Sequence, residues 1–246
     1  MGWIENLSAE FQKTFIRDDR YKVFVTGFKN TLLITLVSLA VGLIAGILIA
    51  IIRYGYSQMK KRKPITFSQK LLHVVFCIID KILAFYVALM RGIPLVVQLL
   101  IMAFVIMAGF PNKLVVCCIA MGLNSAAYVS EVVRGGINSV DAGQMEAGRS
   151  LGVGAATTIL YIILPQAFKS ALPALCNEGI AVLKETSIVG YIAVVDLTRA
   201  SDLVRSRTMA PMMPLFFIAF VYFACVMLLS WGVSILERRL KQGDRG

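Results

Sequence analysis

Charged residues are scarce in this sequence, and their scarcity limits the class of protein it encodes. Asp, Glu, Lys and Arg make up only 16% of the 246 residues, whereas hydrophobic residues make up 58%. An average soluble domain contains about 25% charged residues. So little polar sequence cannot cover a soluble fold of this size, and the composition therefore indicates a protein embedded in lipid. It also excludes intrinsic disorder and a collagen-like chain.

Residues for metal, disulfide or nucleotide chemistry are few as well. The five cysteines form no Cys-x-x-Cys pair, and His73 is the only histidine. We therefore expect neither a disulfide framework nor a metal site. The Gly-x-x-x-x-Gly-Lys-[Ser/Thr] motif that binds nucleotide phosphates is absent. No set of residues suggests hydrolysis or redox chemistry, so we expect no enzymatic activity and no cofactor bound by this chain.

The net charge of +11 does not indicate nucleic-acid binding. Most Lys and Arg residues lie between apolar stretches, and no nucleic-acid recognition module is present. Positive loops of this kind are typical of the cytoplasmic side of membrane proteins. Lys60–Lys63 follow the first apolar stretch, and the basic residues Arg238, Arg239 and Lys241 follow the last. We expect both segments, and the connection 137–171, to be cytoplasmic.

The apolar stretches predict an all-α, polytopic protein with about five transmembrane helices, each needing about 20 apolar residues. The predicted spans are residues 31–52, 94–109 (the core of the second crossing), 114–135, 173–195 and 214–236. The segment Phe67–Met90 contains His73, Asp80 and Lys81, so we expect it to lie partly at the interface. Gly42 and Gly46, four residues apart, favour a close helix contact in the first span.

Three segments divide the chain by composition. Residues 1–26 form an N-terminal amphipathic segment without a cleavable signal peptide, residues 27–238 a membrane domain, and residues 239–246 a cytoplasmic tail. Five spans and a cytoplasmic C-terminus place the N-terminus outside. The sequence thus predicts a multi-pass protein of one membrane domain.

The cytoplasmic connection has the pattern of a short helix with an accessible surface. Asp141 is suited to cap the helix, with Gln144 completing a box-like arrangement. Ala147 and Gly148 keep one side slim, which lets another protein approach closely. A plain helix-loop-helix connector would share this shape.

The end of the same helix is marked by three residues. Leu151 supplies an apolar contact, and Gly152 permits the sharp turn that ends a helix. Pro165 is well placed to begin the next helix, because the first turn of a helix tolerates proline. Together these residues predict a short helix that is suited to docking in a groove of a partner protein.

The spacing of this segment resembles the EAA loop of type I ABC importer permeases. Five positions fall in register: Glu146, Gly152, Ile162, Leu164 and Pro165. Gly148 stands where the motif has its second alanine. The resemblance implies a coupling helix that docks on separate ATPase subunits carrying ATP and Mg²⁺, through Gly143, Glu146, Ala147, Gly148, Leu151, Gly152 and Pro165.

Three further stretches resemble the polar amino acid (His/Glu/Gln/Arg/opine) branch of that family. They are residues 91–94 with Gln98, residues 127–136, and residues 172–187. Together the resemblance covers about residues 27–238, which it identifies as an ABC transmembrane type-1 domain. It implies a permease subunit in a bacterial cell membrane, inner or cytoplasmic, that imports polar amino acids. The implied partners are the ATPase subunits, an extracytoplasmic binding protein, and a second permease copy or a paralogue.

Two alternatives remain open at this point. The same scaffold serves other small solutes, such as methionine or a phosphonate, and an uptake assay separates these cargoes. An ATP-independent channel or secondary carrier has no need of a docking helix. Dependence of uptake on a co-expressed ATPase distinguishes that class. A membrane-embedded enzyme would need a catalytic set of residues that the sequence lacks.

Ionisable residues within the predicted spans suggest a substrate pathway. In the fourth span Asn177 and Lys184 are seven residues apart and share a helix face, as do Glu178 and Glu185. Lys184 suits a substrate carboxylate and Glu178 an ammonium group. A Lys–Glu pair that only fixes helix packing is the alternative.

The third predicted span carries a second polar face. Asn124, Tyr128 and Glu131 stand at positions i, i+4 and i+7 of one helix. We interpret Asn124 and Tyr128 as gate or pathway residues. Glu131 is expected to form a structural pair with Arg134, one turn further on. Arg91 is expected to anchor at the interface.

Overall fold

The computed structural model describes residues 8–60, 66–210 and 212–242, and these residues contain helices and no β-strand. The all-α prediction is confirmed. Residues 8–11 are α-helical, and short helical turns at Gln12–Ile16 and Arg17–Asp19 follow them. The helices that follow are α1 (Tyr21–Lys60), α2 (Phe67–Gly92), α3 (Leu95–Ile106), α4 (Lys113–Asn138), α5 (Gly143–Ser150), α6 (Ala155–Ile192), α7 (Leu197–Thr208) and α8 (Met212–Gln242). Part of the expected N-terminal segment, residues 1–7, and of the expected tail, residues 243–246, lies outside the described residues.

Five helices in the described part of the chain are long and apolar enough to cross a bilayer, namely α1, α2, α4, α6 and α8. The predicted number is confirmed, but two predicted positions are wrong. By length, the second candidate span is α2 and not residues 94–109, because α3 is one of the shorter apolar helices of 10–17 residues. Ile93 is extended (φ −108°, ψ 135°), as expected of a residue before proline, and this separates α2 from α3. The fourth span begins at Ala155 and not at Pro173.

Contacts divide the chain into two compact units. The first contains the described residues up to Ser38, together with Leu95–Met121 and Gly179–Ser234. The second contains Leu39–Pro94, Gly122–Glu178 and the residues from Ile235 onward. Four of the five boundaries fall inside helices, because α1, α4, α6 and α8 contribute residues to both units, and the fifth lies between α2 and α3.

The first unit contains a buried carboxylate at the start of α7 that the sequence pattern did not indicate. Asp196 is fully buried and caps α7, where it accepts hydrogen bonds from the N–H groups of Thr198 and Arg199, both at 2.9 Å. The Tyr222 hydroxyl lies 3.5 Å from Asp196 Oδ2. Burial raises the pKa of the Asp196 carboxyl above its ordinary 3.8, and the hydrogen bonds oppose that shift.

The second unit holds the core on which the candidate site rests. This core contains small and branched residues from α1, α4 and α6: Ala50, Val129, Val133, Ile137, Ile163, Ala167, Ala171 and Leu175. Gly46 of α1 lies so close to α4 that a Cβ would come within 2.6 Å of Val129 Cβ. The small-residue pair of α1 therefore serves a helix contact within this chain.

Candidate functional site

Helix α5 forms the centre of the connection between α4 and α6. The Gly143 N–H donates to Asp141 Oδ1 at 2.8 Å, and the Gln144 N–H donates to the Asp141 carbonyl oxygen at 3.0 Å. The cap position itself is occupied by Ala142. The predicted Asp141 cap with Gln144 is therefore corrected, because Asp141 stands one residue earlier and closes a turn ahead of the helix.

The C-terminal end of α5 is fixed by a left-handed turn. The Gly152 N–H donates to the Arg149 carbonyl at 3.1 Å, and the Val153 N–H donates to the Gly148 carbonyl at 3.0 Å. This is the Schellman pattern, which satisfies carbonyl groups at the end of a helix. Gly152 has φ +80°, a conformation that a residue with a Cβ rarely adopts. The turn leaves the Leu151 side chain 83% exposed.

The two faces of α5 have different environments. Met145 packs against the core of the second unit, and Gly148 is buried. A Cβ on Gly148 would lie 2.7 Å from Thr158 Cγ2, so the glycine lets α5 pack closely on its own chain. The expectation that Gly148 keeps the outer surface slim is corrected accordingly. The exposed face consists of Gly143, Gln144, Glu146, Ala147, Arg149, Ser150 and Leu151.

Pro165 stands in the first turn of the regular α-helical segment Leu164–Glu185, as expected of a proline that begins a helix. The helical run α6 starts at Ala155 and contains a π-helical segment at Ile159–Ile163, immediately before Leu164 and Pro165. Proline has no N–H and crowds the preceding turn of a regular helix. The wider π-helical turn relieves that crowding, and the helical run α6 passes into its regular α-helical segment at Leu164.

Glu131 is the centre of an ion-pair cluster in the second unit. Its carboxylate accepts two hydrogen bonds from Arg134, one from Nη2 at 2.5 Å and one from Nε at 3.1 Å. It accepts a third hydrogen bond from Arg53 Nη1 at 3.2 Å. Arg91 Nη1 lies 3.6 Å from Glu131 Oε2. Arg53 also contacts Asp80 Oδ1 through Nε at 3.2 Å. The cluster joins α1, α2 and α4 through three arginines and two carboxylates.

Helical spacing predicts the pair of Glu131 with Arg134 and does not reveal the other members of the cluster. Arg53 and Asp80 are 78 and 51 residues from Glu131, so helical spacing gives no information about their contact. The sequence did indicate that these residues have partners, because ionisable residues within membrane helices usually form pairs. Arg91, expected at the interface, reaches this cluster and also lies over the Tyr128 ring, 5.5 Å from its centroid.

The predicted pathway residues of the second unit occupy different environments. Asn124 is buried, and its side-chain amide donates to the Met90 carbonyl at 3.2 Å. Tyr128 is 37% exposed. Glu178 is partly buried and accepts from the Ser125 hydroxyl at 2.9 Å. Asn177 is exposed on α6.

Lys184 belongs to the first unit, where its side chain is exposed. Glu185, beside it in the chain, is partly buried. The described residues contain no group of three or more His, Cys, Asp or Glu side chains that is arranged to hold a metal ion.

Comparison with known families identifies the class of this protein. Residues 75–242 match the family described as binding-protein-dependent transport system inner membrane component. The chain belongs to this family, and it is the permease subunit of an ABC importer in a bacterial inner membrane. The resemblance drawn from the EAA segment is confirmed. ATP hydrolysis belongs to a separate subunit in this family, so the permease is not itself an enzyme.

Individual relatives cover nearly the whole chain. The arginine transport system permease protein ArtQ of Bacillus subtilis (strain 168) is 35% identical over 221 residues, which are 89% of this chain and 92% of the relative. The probable glutamine ABC transporter permease protein GlnM of the same strain is 33% identical, covering 91% of this chain and 96% of the relative. The L-cystine transport system permease protein TcyB is 32% identical, covering 92% and 89%.

Solved structures share the fold. A crystal structure of an amino acid ABC transporter with histidines matches with a TM-score of 0.75 at 35% identity, covering 89% of this chain and 94% of that chain. An inward-facing structure of the MetNI methionine ABC transporter matches with a TM-score of 0.72 at 16% identity. The second match supports the fold alone, which is that of a type I importer permease.

Proposed function

We propose that this permease carries polar amino acids across the inner membrane. Support comes from the branch-specific stretches of the sequence and from relatives named for arginine, glutamine and cystine. The test is uptake of a panel of labelled amino acids by proteoliposomes that contain the permease, its ATPase and its binding protein. ATP-dependent uptake of polar amino acids is expected. Uptake of methionine or phosphonate alone, or uptake without ATP, contradicts the proposal.

Helix α5 is proposed as the coupling element. Its exposed face is held in place by the Schellman turn at one end and by the contact of Gly148 with Thr158 on the opposite side. A helix anchored in this way moves as a rigid body when the ATPase moves, and it transmits that movement to the permease without bending. The single observation that carries the proposal is the combination of the exposed Glu146 and Leu151 with this rigid support.

The assembly around the permease follows from this role. Two ATPase subunits, each with bound ATP and Mg²⁺, dock on the α5 surfaces of two permease copies or of a permease and its paralogue. A binding protein delivers the amino acid at the outward face. The cytoplasmic side is the one with α5 and the basic segments, and the N-terminus is outside. Closure of the ATPase pair tilts the helix bundles and alternates access.

Coupling is tested by Glu146→Lys and Gly152→Asp. The first reverses a charge on the docking face, and the second places a side chain on a residue at φ +80°. Both variants are expected to insert normally and to lose association with the ATPase or stimulation of its activity. Glu10→Lys is the matched charge-reversal control and is expected to retain both. Full coupled transport by both test variants contradicts the coupling role.

The substrate pathway is proposed to be bordered by Asn124, Tyr128, Asn177, Glu178 and Lys184. Asn177 and Lys184 are exposed on a helix that is long and apolar enough to cross a bilayer, where contact with lipid is costly, so a polar path is a better environment. Glu178→Gln and Lys184→Met are expected to raise the substrate concentration that gives half-maximal uptake. Unchanged apparent affinity in both variants contradicts the assignment and favours a packing role.

A further inference from the structure

An apolar hollow of about 700 Å³ lies in the second unit beside α5. Its volume falls in the range of roughly 300–1,000 Å³ that is typical of ligand pockets. Six large apolar side chains line it: Ile51, Ile52, Met59, Phe76, Met145 and Ile159. An apolar lining of this kind offers water few hydrogen-bond partners, so it favours a hydrocarbon occupant.

The charge at the hollow is positive. Arg149 is among its lining residues, and no carboxylate is found in the described part of the lining. Within the residues that the structure describes, Arg149 forms no ion pair, so its guanidinium is available to an external anion. Lys60, at the end of α1, is exposed and adds a second cation one residue beyond the lining residue Met59.

We infer that this hollow binds an anionic phospholipid of the cytoplasmic leaflet. Its acyl chain lies against the apolar walls, and its phosphate pairs with the Arg149 guanidinium. The inference rests on the orientation given under Proposed function, which puts this end of α1 at the cytoplasmic headgroups. Basic pockets between helices on the cytoplasmic side bind anionic headgroups by the same electrostatics. Since Met145 and Arg149 belong to α5, the bound lipid contacts the proposed coupling helix directly.

Native mass spectrometry of the full-length permease measures this binding without any requirement for transport. The purified protein is equilibrated with equal amounts of phosphatidylglycerol and phosphatidylcholine, and the retained lipids are counted. The wild-type permease is expected to retain phosphatidylglycerol in preference to phosphatidylcholine. Arg149→Gln is expected to lower that preference about fivefold, which is the effect of one cation near a membrane surface. Arg207→Gln, an exposed arginine in the first unit, is the control and is expected to behave as wild type.

A second pair of variants tests the apolar part of the site. Ala156→Trp places a large side chain in the hollow, whereas Leu160→Trp changes an exposed residue outside its lining, four positions further along. Loss of phosphatidylglycerol from Ala156→Trp with retention by Leu160→Trp supports the site. Equal retention by both tryptophan variants overturns it.

Two further outcomes separate this inference from the coupling proposal. If Arg149→Gln weakens ATPase association in lipid-free detergent and leaves phosphatidylglycerol retention unchanged, the hollow belongs to the ATPase docking surface and the lipid site is wrong. If the lipid preference responds as expected while both Glu146→Lys and Gly152→Asp couple normally, the lipid site stands and the coupling role of α5 fails.

Discussion

Arg53 Nη1 lies 3.2 Å from Glu131 Oε1 and thereby ties α1 to α4 within the second unit. The same guanidinium contacts Asp80 of α2, so one arginine links three helices. The Glu131 side chain is only 19% exposed, which reduces the screening of these contacts by water. Loss of the Glu131 charge would leave three arginines facing a single carboxylate.

Replacement of Glu131 by Gln is therefore expected to lower the stability of the permease by about 1–3 kcal/mol. The measurement is thermal unfolding in detergent. Asp202→Asn is the matched control, because Asp202 forms an i,i+3 pair with Arg205 whose side chains are about 40% exposed. That variant is expected to cost at most about 0.5 kcal/mol. Equal losses in the two variants would show that the cluster adds no stability beyond a surface pair.

Gly46→Ala tests the contact between α1 and α4. The added Cβ would lie 2.6 Å from Val129 Cβ and 2.7 Å from the Ala126 carbonyl oxygen, so the helices must move apart, at a cost of about 1–3 kcal/mol. Gly55→Ala, in the same helix, has no atom within 4 Å of its added Cβ. It is expected to be neutral or stabilising by up to about 1 kcal/mol. Comparable unfolding temperatures for both variants would contradict the close contact.

Asp196 gives a prediction about pH. Its pKa is raised by burial above the ordinary 3.8 that it has when unfolded. As pH rises above 3.8, the unfolded chain loses this proton before the folded chain, so stability declines until the folded carboxyl is ionised. Asn caps helices about as well as Asp. The unfolding temperature of wild type minus that of Asp196→Asn is therefore expected to fall as the pH is raised above 3.8.

The opposite trend, a difference that grows with pH, would mean that the N–H donors of α7 outweigh burial and lower the pKa. Asp202→Asn provides the control, since it removes an exposed carboxylate two turns along the same helix. Its curve separates the effect of the buried group from general effects of pH on the detergent-solubilised protein.

The class of protein and the number of spans could be predicted from the sequence because both depend on local patterns. Apolar stretches of sufficient length define the spans, and Glu146, Gly152 and Pro165 stand at fixed separations within one segment. The small pair Gly42 and Gly46 correctly indicated a close helix contact. These features require no knowledge of which helices are neighbours.

The features that were missed depend on contacts between distant parts of the chain. The sequence around Gly148 does not indicate whether this glycine faces a partner protein or Thr158 of its own chain. Only the folded structure shows that it faces Thr158. The contact of Arg53 with Glu131 and the complete burial of Asp196 likewise require the folded arrangement.

The most direct test of the account is the accessibility of a cysteine at Leu151, labelled with a membrane-impermeant maleimide in Leu151→Cys. The wild type, with its five native cysteines, gives the background labelling. We predict labelling in inside-out vesicles and not in right-side-out vesicles, and protection when the ATPase subunits are bound. Labelling from the outside, or labelling that bound ATPase leaves unchanged, would contradict a cytoplasmic coupling helix at α5.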